Sequence, residues 1–163
     1  MMSRYLDDHI ATEKHLWNSR FKTKNTSLEN PDEKIHRIEI NLRDVISQTL
    51  EGDIGKLPPH VFKKINERLQ HAASKKATLD KGDFQSLIRL LEFSDLQELK
   101  DIITNKTLWK DFEPRFTHKE NLIIKFDQLG ELRNGIRHSR PVDEIARKEG
   151  EAAILWFELV AKK

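Results

Sequence analysis

The sequence predicts an all-α domain, and three observations carry that expectation. Apolar residues recur at three- and four-residue intervals, the period of helices packing on a core. The β-branched alternation of a sheet protein is missing. Only six glycines and five prolines interrupt 163 residues. One domain is expected at this length, with a core that removes roughly 70% of the unfolded chain's surface from water.

The elements follow in order. Residues 1–30 read as an N-terminal extension or linker, with Leu6, Ile10 and Trp17 on one face of a short helix. The polar run from Lys22 to Asn30 ends at Pro31, and the helical domain is expected over 31–163. Asp32 and Glu33 suit a helix N-terminus. Ile35, Ile38, Leu42, Val45, Ile46 and Leu50 then make a stripe that stops near Gly52. Pro58-Pro59 opens a second helix that buries Val61, Phe62, Ile65, Leu69 and Ala72. A turn at Asp80–Gly82 precedes Phe84, Leu87, Ile88 and Leu91. Ser94 or Asp95 caps a short helix carrying Leu96, Leu99, Ile102 and Ile103. Trp109, Phe112 and Phe116 form an aromatic connector around Pro114. Thr117-His118-Lys119-Glu120 has the form of a capping box. Leu122, Ile123, Phe126, Leu129, Leu132 and Ile136 line the inner face of a long helix from about His118 to His138, which Pro141 stops. A last helix from Asp143 buries Ile145, Ile154, Leu155, Trp156 and Phe157, with Gly150 as its weak point.

Composition excludes several function classes. The absence of cysteine rules out disulfide frameworks, zinc ribbons and thiol nucleophiles. His36, His60, His71 and His118 show no H-x-x-x-H or H-E-x-x-H spacing, so neither a metal site nor a cofactor is expected. No stretch approaches the roughly 20 apolar residues of a membrane span, and the N-terminus turns acidic at Asp7-Asp8, so a cytoplasmic protein without membrane contact is expected. The 29 basic and 27 acidic residues nearly cancel, but their distribution is uneven. Between Arg133 and Arg140 stand three arginines, one histidine and no acid; between His60 and Lys81 six Lys and Arg face only Glu67 and Asp80. Such faces either hold phosphates or are solvated helix surface.

Arg133-Asn134-Gly135-Ile136-Arg137-His138 closes the long helix. Positions four apart share a face, so Asn134 and His138 stack and Arg133 borders them about 100° away. A guanidinium offers a fork to phosphate oxygens, an imidazole accepts and returns a proton near neutral pH, and a carboxamide orients either the imidazole or the substrate. The plainer alternative is a solvated helix end where Arg137 and His138 complement the dipole. Glu131 either orients the site or pairs with an arginine at the surface. Arg137 and Arg140 either contact an RNA backbone or merely flank the helix end. Gly130 and Gly135 lack the Lys-Ser/Thr of a phosphate loop and are expected to let another helix approach closely. Arg4 to His9 repeats the Arg-x4-His spacing but lacks the asparagine and the long helix, and two acids adjoin it; it is read as a decoy.

An arginine followed by a polar residue and, four to six positions on, a histidine near a helix end resembles the signature of HEPN domains. The aromatic lead-in of Trp109, Phe112 and Phe116 before a helix ending in Arg-Asn-x-x-x-His is most similar to the Swt1-like branch. The resemblance is sharp over Leu108–Phe157, reaches back to Pro31 only in helix order and length, and does not touch residues 1–30. It implies a four- or five-helix up-and-down bundle. It also implies a homodimer with two Arg–His motifs across one cleft, and endoribonuclease activity without metal. Arg133, Asn134 and His138 would be catalytic; Arg137, Arg140 and Glu131 would bind the RNA. A toxin, defence or RNA-processing role would bring an antitoxin, or a fused or partner domain. The rival reading is a non-catalytic HEPN module that dimerises or binds a nucleotide or partner through the same residues.

Overall fold

The computed structural model describes residues 30–162. The chain divides at Asn30–Pro31 into two units, and the second is described here. The expected helix at Leu6–Trp17 and the Arg4–His9 decoy lie outside the described residues.

Among the described residues the fold is an all-helical bundle of seven α-helices without a strand. Four are long: α1 (Pro31–Thr49), α2 (Pro59–Lys75), α6 (Lys119–Arg137) and α7 (Glu144–Ala161). Three are short: α3 (Leu87–Leu90), α4 (Leu96–Ile103) and α5 (Trp109–Phe116). Among the described residues no helix is long and apolar enough to cross a membrane.

Each long helix starts where the local chemistry allows. Pro31 and Pro59 stand at first helical positions, where a missing N–H costs nothing. Asp143 caps α7 by accepting from the Ala146 N–H at 2.9 Å. Of the two candidates for α4, Asp95 is the cap: it accepts from the Glu98 N–H, and Glu98 accepts from the Asp95 N–H, a complete capping box. The box expected at Thr117–Glu120 does not form. Thr117 has φ +69°, whereas an N-cap needs extended backbone. It closes α5 instead, donating its N–H to the Glu113 carbonyl at 2.8 Å, and His118 becomes the N-cap of α6 with no side-chain bond.

The aromatic connector is a helix. Trp109, Phe112 and Phe116 fall at i, i+3 and i+7 of α5, and Phe112 and Phe116 are buried. Pro114 removes one backbone bond from this two-turn helix, and burial of the rings holds the segment together. Phe116 stacks on Trp156, whose edge meets Phe157, which in turn meets Phe126 edge-on at 5.0 Å.

Three residues expected in the core are exposed. Phe62 is 39% accessible because α2 buries the Val61, Ile65, Leu69 row beside it. Ile145 and Leu155 are 72% and 56% accessible. Helix α7 carries two apolar stripes and turns the one containing Ala146, Gly150, Ala153, Ile154, Phe157 and Val160 inward. Gly150 selects that face: a Cβ there would meet Leu132 Cβ of α6 at 2.6 Å. The glycine thus lets α7 come close to α6, and the two run antiparallel, with Phe126 against Phe157 and Leu132 against Gly150.

A polar clamp fixes α2 to α4. Arg68 grips the buried carboxylate of Glu98, with one contact at 2.7 Å, and also reaches Asp95 at 3.2 Å and the Phe93 carbonyl at 2.8 Å. The hydrogen bond to Glu98 raises the Arg68 pKa further above its ordinary value.

Gly150→Val is expected to cost about 1–3 kcal/mol, because Leu132 has no room to retreat. Gly130→Ala, whose Cβ would find only Leu96 Cδ2 at 4.0 Å, should hold or raise stability through helix propensity. Urea denaturation of the two variants checks the contrast.

Candidate active site at the end of α6

The polar end of α6 is held from two sides. On one side lies α1. Arg133 Nε stands 2.9 Å from Glu39 Oε1, and Arg137 Nε stands 3.6 Å from Asp32 Oδ1. Because Asp32 and Glu39 are seven apart and Arg133 and Arg137 four apart, the pairs set α1 antiparallel to the end of α6. Glu39 is 3% accessible and sits within the stripe of Ile35, Ile38, Leu42 and Ile46. Its contact with Arg133 is an attraction of charges: neither Glu39 Oε1 nor Arg133 Nε has a hydrogen-bond partner of good geometry.

The second support is the chain's own return. His138 donates its N–H to the Asn134 carbonyl at 3.0 Å, Ser139 to Ile136 at 3.4 Å and Arg140 to Gly135 at 3.0 Å. With Ser139 at φ +49°, this is a Schellman end in which serine occupies the left-handed position usually given to glycine. Gly135 is needed for a different reason. A Cβ on it would lie 2.0 Å from Val142 Cγ2. It admits the following loop, where the sequence suggested a neighbouring helix; Gly130 makes no such close approach, and the helix-to-helix role belongs to Gly150.

This return builds an open cavity of about 720 Å³. Its walls are the start of α4 (Asp95, Leu96, Gln97, Lys100), the outer flank of α6 from Phe126 to Gly135, and the loop from Arg140 to Asp143. Glu131, Arg133, Asn134 and Arg140 all line it. The structure therefore brings together four of the six residues singled out in the sequence. The other two stand outside. Arg137 points toward Asp32, and His138 is the exposed C-cap, one turn past Asn134. Among the described residues no hydrogen bond or ion pair involves the His138 imidazole. Asn134 and His138 stand one turn apart in the backbone as expected, but His138 does not line the cavity that Arg133 and Asn134 line.

Glu39 is the residue that sequence reasoning missed. Its signal is visible in retrospect: an acid four residues after Ile35 and seven before Ile46 lies inside an apolar stripe, and a buried charge there requires a cation. Among the described residues no group of three His, Asp or Glu side chains is gathered closely enough to hold a metal ion.

Arg133→Ala should leave Glu39 buried without a counter-charge and cost about 3 kcal/mol, toward the low end for a buried pair because the arginine side chain reaches the cavity. Replacing both partners, Glu39→Met with Arg133→Met, should recover most of that loss. Thermal or urea unfolding of the single and double variants checks it.

No family model matches the chain, and no curated protein or solved structure is significantly similar to it, so the reading of this site stands on its residues and their geometry.

Proposed function

We propose that this protein is a HEPN-type endoribonuclease that cleaves RNA without a metal, through Arg133, Asn134 and His138. One observation carries the reading: an arginine, an asparagine and a histidine at the spacing of that family stand at the exposed end of a long core helix, beside a cavity with a second arginine. The bundle is accordingly read as HEPN type, with α1, α6 and α7 packed on one another and α2 joined to them through the short helices α3 and α4.

In the proposed reaction the ribose 2′-oxygen attacks the adjacent phosphorus. The P–O5′ bond breaks, leaving a 2′,3′-cyclic phosphate and a 5′-hydroxyl. His138 takes the 2′-hydroxyl proton or returns one to the 5′-oxygen, the ordinary work of an imidazole. Arg133 stabilises the charge developing on the phosphate. Asn134 positions a phosphate oxygen or the imidazole. The internal nucleophile removes the need for a metal-bound water.

The reading includes a two-fold homodimer, supported by the outer face of α7. Ile145, Ala152 and Leu159 are exposed at seven-residue intervals, with Leu155 between them. Such a stripe on a charged surface is suited to self-association. Ile145 begins two residues after the cavity wall ends at Asp143, so a dimer that pairs the two stripes in parallel, Ile145 against Ile145, sets the two α6 ends near each other. A cytoplasmic protein, with RNA as substrate and an antitoxin or fused domain as controlling partner, completes the proposal.

A second reading has a specific observation in its favour. Arg133 is engaged with Glu39, and the His138 imidazole lies outside the cavity. The same chain acting as a non-catalytic module would bind a nucleotide or partner there and cleave nothing.

His138→Ala is expected to lower RNA cleavage by on the order of 10²–10⁴-fold, with unchanged melting temperature because the side chain is exposed. Wild-type cleavage should persist in excess EDTA. Full cleavage by the variant at equal stability, or loss with chelator and recovery with magnesium, refutes the mechanism. The dimer has its own check: Ile145→Asp should shift the mass in light scattering from two chains to one, and a wild type already monomeric at micromolar concentration contradicts the assembly.

A further inference from the structure

The cavity beside Asn134 has a chemical layout that the proposed cleavage does not use. Its two ends differ. At one end Arg140 is exposed, with no ion pair or side-chain hydrogen bond among the described residues, and its N–H donates to the Gly135 carbonyl at 3.0 Å, next to Asn134. At the other end Lys100 and Asp127 pair at 2.9 Å, with Gln97 one turn before Lys100 on α4. Asp127 and Asn134 are two helical turns apart, about 10 Å of rise. Between the ends, Leu96, Pro141 and Val142 supply apolar wall.

The acids do not make the cavity repel anions. Asp95 is taken up by the α4 N-terminus and by Arg68 at 3.2 Å. Asp127 is paired with Lys100, and Asp143 is spent on the α7 N-terminus. Only Glu131, on the exposed flank, is left. A ligand that fits has an anionic group for the Arg140 end, a flat partly apolar body for the middle, and donors and acceptors on a rim for the Gln97 end. A nucleotide meets all three requirements, and a volume of about 720 Å³ lies in the usual range of small-ligand sites.

We propose that this cavity is the subsite for the nucleotide next to the scissile phosphate, with its own phosphate on Arg140 and its base edge read by Gln97 and the Lys100–Asp127 pair. The inference rests on the ribonuclease reading for its place along the RNA, but not for the ligand class. Gln97 becomes a specificity-determining residue: its Nε2 donates to Asp101 Oδ1 at 3.0 Å, which orients the carboxamide and leaves its Oε1 and second N–H for a base edge.

The test titrates the full chain with the four nucleoside 5′-monophosphates and with inorganic phosphate, by calorimetry, alongside mapping of cleavage products on one mixed-sequence RNA. At least one monophosphate should bind tenfold or more tightly than inorganic phosphate. Arg140→Ala should weaken monophosphate and phosphate alike. Gln97→Ala should weaken the preferred monophosphate, leave phosphate unchanged, and flatten the distribution of cleavage sites. Both side chains are exposed, and melting curves establish that the variants fold. If the wild type cleaves RNA, yet binds no monophosphate more tightly than phosphate and keeps its cleavage pattern in Gln97→Ala, the subsite is refuted and the ribonuclease reading survives. If monophosphates bind with the expected dependence on Gln97 and Arg140 while no RNA is cleaved, the cavity is a nucleotide site and the ribonuclease reading falls. Neither binding nor cleavage overturns both.

Discussion

A carboxylate buried in the middle of an apolar stripe has to be met by a cation, and at the centre of this bundle Arg133 meets Glu39 at 2.9 Å. Much else depends on that meeting. It fixes the axial register of α1 against α6, since Asp32 then falls beside Arg137. It also fixes how α6 is turned: with Arg133 toward α1, Leu129 and Leu132 enter the core and Asn134, about 100° further round, faces the cavity. The contact is close but poorly aligned for a hydrogen bond. A pair of this kind adds less stability than well-packed apolar residues would, while breaking one half of it is costly. That asymmetry makes it a device for placement.

The other face of the site depends on absent side chains. Gly150 lets α7 close on Leu132, and Gly135 lets the chain after α6 double back until Val142 occupies the space a Cβ would need. The first contact decides which of two apolar stripes on α7 is buried. The second brings the chain at Arg140 back alongside the end of α6 near Asn134, although five residues and a helix end separate them. The backbone of a cationic residue on a loop is thereby held in place, and its side chain is left open to solvent.

How much of this was legible in the sequence varies with the kind of signal. The four long helices were, because their apolar rows repeat over four turns or more and prolines or acids mark their starts. The helix α5 was not, because Pro114 outweighed the i, i+3, i+7 spacing of three aromatic rings. The false capping box at Thr117 shows the limit of a local motif: the residues match, but a tight corner between α5 and α6 puts the threonine at positive φ. Ile145 and Leu155 were misplaced because a helix with two apolar stripes does not announce which one is inside; a glycine's fit against another helix settles it. Arg133, Asn134 and His138 were legible as a group, and their position at a helix end is as expected. Their division between a cavity and an exposed cap was not legible, because it depends on the Glu39 contact and the loop's return.

That division bears on how the proposed chemistry is organised. Within one chain the residues proposed to hold the scissile phosphate, Arg133 and Asn134, line the cavity, while the group suited to moving a proton stands one turn beyond, open to solvent. Cleavage at a phosphodiester needs both at a single phosphorus. In the proposed isologous dimer the phosphate-holding groups of one chain and the imidazole of the other would share one phosphorus, which requires the two α6 ends to meet at the two-fold axis. The exposed stripe of Ile145, Leu155 and Leu159 starts beside the cavity wall, so a parallel pairing of two stripes would bring the ends together, whereas an antiparallel one would hold them apart. On that proposal His138 is exposed because its site is completed across the axis. Arg133 then has two tasks that a single substitution removes at once, and His138 has only one.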